Sequence, residues 1–182
     1  MAVIDSSSAI ALAKIGRLAI LHKLFDDVFI TEQVYGEVIS KPLSEEAITI
    51  KKAVEEKWIV IRKAREINNI LGVGEASSIS LALELRQILI IDDKKAVFIA
   101  NSFLGAECHG ILYAILLALK QGIIKNKEEA IEIVNELISS KFYLSGDVLS
   151  EFYSMLQIWL SLTGRKELYT CIKELQSIAL LL

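Results

Sequence analysis

The chain has 182 residues, 53% of them hydrophobic, with a net charge of −3 and a mean hydropathy of +0.48. That length gives one compact domain with room for a helical appendage and a large core. The acidic balance excludes a protein that holds nucleic acid by bulk electrostatics, though not an enzyme that engages it transiently at a metal.

The aliphatic excess points to more apolar surface than a monomer needs, and so to a homodimer. Cys108 and Cys171 are the two cysteines, and no secretory signal precedes Asp5. Free thiols in a reducing cytoplasm are therefore expected. The longest strictly apolar run, Ile111 to Leu119, falls well short of the ~20 residues needed to cross a bilayer, so it reads as a buried helix and no membrane partner is expected.

Taken in order, Ala2-Val3-Ile4 is a strand that runs into Asp5, and Val28-Phe29-Ile30 is a second that runs into Thr31. Thr31 and Ser44 are N-caps, each followed by acidic residues in the first turn. Glu37 lies near the end of the helix that Thr31 opens. Trp58-Ile59-Val60-Ile61 is a third strand. Glu75 opens a helix after Gly72-Val73-Gly74, with Ala76, Ile79, Ala82 and Leu83 on one face. Ile88-Leu89-Ile90-Ile91 is a fourth strand, closed by Asp92-Asp93 and followed by a helix from Lys94 to Phe103. Ala106-Glu107-Cys108-His109 has the weakest strand pattern of the five. Asn126 with Glu129 reads as a capping box before Ala130, Ile131, Val134, Leu137 and Ile138.

After about Gly146 the composition shifts, and 147–162 and 166–182 read as two helices broken at Thr163-Gly164. The division expected is a catalytic body over 1–150 and a helical C-terminal extension over 151–182. Those helices either pack on the body or bury a partner. Short apolar runs without alternation suit strands buried on both faces. Alternating with helices, they give an α/β domain with a mostly parallel sheet.

In open parallel sheets, ligands bind outside the carboxyl ends of the strands. Asp5 and the Asp92-Asp93 pair stand at two such ends, Glu75 can point back toward the same edge, and Glu37 ends a neighbouring helix. Two carboxylates ~5 Å apart at an effective dielectric of ~20 repel by about 3 kcal/mol. A divalent cation relieves that repulsion, and all-oxygen ligation suits Mg²⁺ or Mn²⁺ rather than Zn²⁺. Each acid also has a plain structural use. Asp5 can cap a helix, Glu37 can sit on a solvated helix end, Glu75 suits a first turn, and one of Asp92 and Asp93 can be an N-cap. Their joint order is what points to a site.

Other chemistries fit less well. Gly72-Val73-Gly74 has Ser77 where a dinucleotide loop needs its third glycine, and no strand directly precedes it. A receiver-like phosphoacceptor needs an acidic pair at the first strand, where Asp5 stands alone. A haloacid-dehalogenase-type phosphatase needs an Asp where Ser7 stands. His22 and His109 read as structural, and neither cysteine has a neighbouring base.

With these residues in place the chain resembles the PIN-domain ribonucleases, above all the toxin subunits of VapBC-type toxin–antitoxin pairs and their prokaryotic relatives. The matching stretches are Val3-Ile4-Asp5-Ser6-Ser7-Ser8, Val28 to Val38, Gly74 to Ala82, and Leu89-Ile90-Ile91-Asp92-Asp93-Lys94-Lys95-Ala96. The likeness runs from residue 1 to about 150. It implies an α/β/α sandwich with a short, mostly parallel central sheet whose carboxylates hold one or two Mg²⁺ or Mn²⁺ ions. A metal-activated water would attack an RNA phosphodiester while the metal stabilises the developing charge. Residue by residue, it implies metal ligation by Asp5 with Ser7 in support, by Glu37, and by Glu75, where many relatives have Asp. Asp93 best matches the last acidic position, with Asp92 the competing choice. Lys94 and Lys95 are candidate contacts to RNA phosphates, as are Lys14 and Arg17, and a small antitoxin is the implied protein partner. A PIN-like module that binds RNA or protein without cutting is the rival from a different class.

Overall fold

Five parallel strands form one sheet in the order β3-β2-β1-β4-β5. They are β1 (Ala2–Ile4), β2 (Val28–Thr31), β3 (Ile59–Arg62), β4 (Ile88–Ile90) and β5 (Cys108–His109). The structure, a computed structural model, describes residues 1–65 and 71–161, with side chains through 158. The helix expected over 166–182, with Cys171, lies outside the described residues, as do the side chains of Trp159 and Leu160.

Each strand sends alternate residues into opposite layers, which is why the apolar runs show no polar alternation. Ala2, Ile4, Val28, Ile30 and Ile90 enter the larger core. Val3, Phe29 and Leu89 enter the smaller one on the other face. The larger core receives α1 (Ser6–Lys14), α2 (Ala19–Phe25), α4 (Glu45–Glu55), α7 (Ile111–Lys120), α8 (Lys127–Ser139) and α9 (Gly146–Ser161). The smaller is covered by α5 (Val73–Leu85) and α6 (Lys94–Ile99). Helix α3 (Glu32–Val38) continues β2 and sends Val34 and Val38 into the larger core. The result is the α/β sandwich expected, with every strand pair parallel.

Helix starts follow the caps. Thr31 Oγ1 accepts from Val34 N at 3.1 Å and Ser44 Oγ from Ala47 N at 3.2 Å. Asn126 Oδ1 accepts from Glu129 N at 2.9 Å, while Glu129 reaches one residue beyond the expected box, to Lys125 N at 2.9 Å. Helix α2 has no side-chain cap, so the sequence carries no start signal for it. The stretch from Lys94 is α-helical to Ile99 and then π-helical over Ala100–Leu104, ending at Gly105 in the left-handed region (φ 72°). Helix α9 runs through residue 150 and buries Phe152, Met155 and Leu156 in the larger core. Among the described residues no helix is long and apolar enough to cross a membrane.

Lys14 and Arg17, weighed as RNA contacts, serve the fold. Lys14 Nζ donates to Ser140 O at 2.8 Å. Arg17 pairs with Glu129 at 3.5 Å and Glu136 at 3.3 Å, tying the end of α1 to α8.

The strand order reverses between β1 and β4, the place where open parallel sheets bind ligands. Ala2, Val3 and Ile4 stand in register with Ile88, Leu89 and Ile90, so both strands deliver their next residues to the same edge.

Candidate active site

Asp5 leaves β1 with extended backbone and caps α1. Its Oδ1 accepts from Ser8 N at 3.0 Å, and its Oδ2 accepts from Ser7 N at 3.3 Å and Ser7 Oγ at 2.5 Å. Only 5% of Asp5 is exposed. Burial pushes its carboxyl above the ordinary range, and the hydrogen bonds from Ser7 and Ser8 only partly offset that.

Across the seam, Asp92 follows β4 and keeps a partial opening to solvent. Its carboxylate accepts from Ile111 N, the first residue of α7, at 3.0 and 3.2 Å. Ser8 Oγ donates to Asp92 Oδ2 at 2.8 Å. Burial pushes Asp92 up to about 6, and the charge of Asp5 adds to the rise. A Cβ on Gly110 would stand 2.8 Å from Asp92 Oδ1, so the approach of this carboxylate to α7 requires a glycine there.

Ser8 is fully buried, with its amide on one acid and its hydroxyl on the other. On both carboxyls burial is the largest influence, opposed by hydrogen bonds from Ser7 and Ser8 on Asp5 and from Ile111 and Ser8 on Asp92.

Glu37 lies on the last turn of α3, exposed, and accepts a short hydrogen bond from Ser6 Oγ. A Cβ on Gly74 would fall within 2.9 Å of its Cδ and 3.0 Å of Oε2, so glycine at this turn of α5 is what lets the carboxylate lie there. That turn is fixed from below. Thr31 Oγ1 and Ser77 Oγ are 2.8 Å apart, and Ser77 and Ser78 both donate to Gly74 O, at 2.8 and 2.9 Å. Three consecutive hydroxyls thus serve three acids: Ser6 holds Glu37, Ser7 holds Asp5 and Ser8 holds Asp92.

The remaining two acids face elsewhere. Glu75 Oε2 accepts from Gly72 N at 3.1 Å, closing the first turn of α5. Asp93 Oδ1 accepts from Ala96 N at 2.7 Å and caps α6. Lys94 and Lys95 are exposed on the first turn of that helix. The structure therefore links Asp5, Asp92 and Glu37 through the serines and leaves Glu75 and Asp93 as helix-start acids. The Ser6-Ser7-Ser8 run directly after Asp5 was the sequence signal for this linkage; Gly74 and Gly110 gave none.

Among the described residues, no three His, Cys, Asp or Glu side chains converge as a ready-made metal cage. Mg²⁺ does not require one, because it keeps several waters and binds through one or two carboxylates. Two buried acids joined through one serine fit such an ion. His109 is structural: buried, stacked on Tyr113 with ring centroids 3.8 Å apart, and 3.1 Å from Glu107 Oε1. Burial pushes the Cys108 thiol up to about 12, which removes it as a nucleophile.

The carboxylates thus stand at the switch point of a parallel α/β sandwich, where such folds bind ligands. A family model described as PIN domain matches residues 1–157, and the chain belongs to that family, whose members are generally metal-dependent nucleases acting on RNA. No curated protein and no solved structure matches the chain.

Proposed function

We propose that this chain is a metal-dependent endoribonuclease whose reaction centre is the seam between β1 and β4. The observation that carries the reading is the pair Asp5 and Asp92, joined through buried Ser8 at the edge where the strand order reverses. Asp5 and Asp92 would hold Mg²⁺ or Mn²⁺, Glu37 would complete the acidic edge, and Glu75 would join it on leaving its bond to Gly72 N. A divalent ion there supplies Lewis-acid stabilisation of the phosphodiester as charge develops. Asp92 takes the role that the resemblance gave to Asp93, because Ser8 joins Asp92 to Asp5, whereas the Asp93 carboxylate caps α6 with no such link. Ser7 keeps Asp5 in place, and Lys94 and Lys95 offer charge to the RNA backbone.

The wider reading is the toxin of a toxin–antitoxin pair, a cytoplasmic homodimer controlled by a small antitoxin, with 151–182 as a C-terminal helical extension. Light scattering at micromolar concentration should give twice the 20.2 kDa chain mass; the chain mass alone would refute the dimer. A non-catalytic RNA- or protein-binding module is the second reading, favoured by the lack of a three-acid cage among the described residues. Cleavage of single-stranded and structured RNA with Mn²⁺, Mg²⁺ or EDTA separates the two. Metal-dependent cutting by the wild type that Asp5→Asn lacks supports the nuclease. Equal cutting by the variant would sink the site assignment.

A further inference from the structure

Asp5 and Asp92 differ from free carboxylates in how little of their acceptor capacity is left open. A carboxylate has two oxygens and about four lone-pair positions. Asp5 Oδ2 accepts from Ser7 N at 3.3 Å and from Ser7 Oγ at 2.5 Å, while Oδ1 accepts from Ser8 N alone. Asp92 repeats the pattern. Its Oδ2 accepts from Ser8 Oγ at 2.8 Å and shares the Ile111 N–H with Oδ1, at 3.2 and 3.0 Å. Each acid therefore has one oxygen with two donors and one, Oδ1, with a lone pair to spare. Ser6 Oγ likewise engages one oxygen, Oε2, of Glu37.

This arrangement is held firmly. Ser8 is fully buried on the first turn of α1, so its hydroxyl cannot turn out to water. Gly110 and Ile111 N bound the other side of Asp92. Turning this carboxylate to offer both oxygens would cost the bond from Ser8. Ions differ in what they ask of such ligands. Ca²⁺ takes roughly 6–8 oxygens and draws on bidentate carboxylates, whereas Mg²⁺ keeps several waters and is held through one or two carboxylates. Mn²⁺ shares the octahedral, all-oxygen preference of Mg²⁺.

We propose that Ser7 and Ser8 determine which ion the seam accepts. By filling one oxygen of each acid they limit Asp5 and Asp92 to ligation through a single oxygen, which admits Mg²⁺ or Mn²⁺ and excludes Ca²⁺. The inference rests on the metal-site reading above and adds to it the selectivity and its source. The serines act through the two acids, as positioning residues.

The test is Mn²⁺ binding to the full metal-free chain at pH 7, without RNA and with Ca²⁺ as competitor. Free Mn²⁺ is read from its electron paramagnetic resonance signal. An excess of about 100-fold Ca²⁺ over Mn²⁺ should shift the apparent Kd of the wild type by less than about twofold. In Ser8→Ala, Asp92 Oδ2 loses its hydroxyl donor. The preference for Mn²⁺ over Ca²⁺ should then fall about 10-fold, the scale on which partners that orient metal ligands act. Ser7→Ala changes an exposed residue, frees Asp5 Oδ2 and should lower the preference in the same direction; it decides alone if Ser8→Ala does not fold. A general loosening of the fold would weaken both ions alike and leave their ratio unchanged. A ratio unchanged in the variants, or Ca²⁺ competing as strongly in the wild type as in them, would overturn the selectivity and leave the metal site standing. Absence of Mn²⁺ binding by the wild type would overturn the metal-site reading and the selectivity with it.

Discussion

Two places in this molecule gather acids, and they treat them in opposite ways. At the contact of α1 with α8, Glu129 and Glu136 share Arg17, and Glu136 in turn holds the guanidinium above its ordinary pKa through their hydrogen bond. At the seam of β1 and β4, Asp5 and Asp92 share a buried serine, and burial pushes both carboxyls up. Where charge only holds the fold together, the chain supplies a counter-ion. At the seam, the proposed divalent ion would supply it.

The largest way to break that contrast is at Asp5. Asp5→Asn keeps an N-cap for α1 but removes one charge, and should lower metal-dependent RNA cleavage by at least about 100-fold, the scale on which loss of one charge-stabilising group acts. An initial-rate assay with Mn²⁺ checks it, and a loss below about threefold would make Asp5 a structural cap only.

Asp92→Asn tests the same seam through stability. The Asp92 carboxyl rises from 3.8 to about 6 on folding, which corresponds to about 3 kcal/mol of destabilisation at neutral pH. Below pH 4 the group is protonated folded and unfolded, and the penalty vanishes. As pH rises from 4 to 6 the unfolded chain ionises first, so wild-type stability is lost through that window. His109 works in the other direction, its buried ring favouring the neutral form and losing stability as pH falls below 6.5. Subtracting the variant from the wild type removes that contribution. In metal-free urea melts the margin of Asp92→Asn over wild type should grow from pH 4 to 7. A constant margin would mean that Asp92 is not desolvated.

At the paired cluster the expected effects are smaller. Arg17→Ala should cost roughly 1 kcal/mol, because the side chain is 30% exposed and its ion pairs are partly screened. The cost should shrink in high salt. Gly74→Ala is smaller still and splits two readouts. Helix propensity favours alanine by up to about 1 kcal/mol, while the new Cβ displaces the Glu37 carboxylate. Melting temperature should hold or rise slightly while cleavage falls several-fold; unchanged cleavage would remove Glu37 from the site.

Much of this was legible in the chain itself. Ala2-Val3-Ile4 and Ile88 to Ile91 read as strands because both faces are covered, and Asp5 and Asp92 follow them where the strand order reverses. Choosing between Asp92 and Asp93 was not legible. Adjacent residues leaving a strand point apart, and the choice depends on Ile111 N and Ser8 Oγ, 19 and 84 residues away in sequence. Helix α2 was invisible because Leu18 caps it with no side-chain acceptor. The roles of Gly74 and Gly110 depend on space beside distant carboxylates, which no local pattern records.

The most direct test of an uncompensated cation site is the melting temperature at pH 7 as Mn²⁺ is titrated into wild type, Asp92→Asn and Arg17→Ala. A site at the seam stabilises wild type and Arg17→Ala alike, by about 2.7 kcal/mol at a hundred times the dissociation constant, and leaves Asp92→Asn unmoved. The same rise in Asp92→Asn, or none in wild type, would contradict a metal site between β1 and β4.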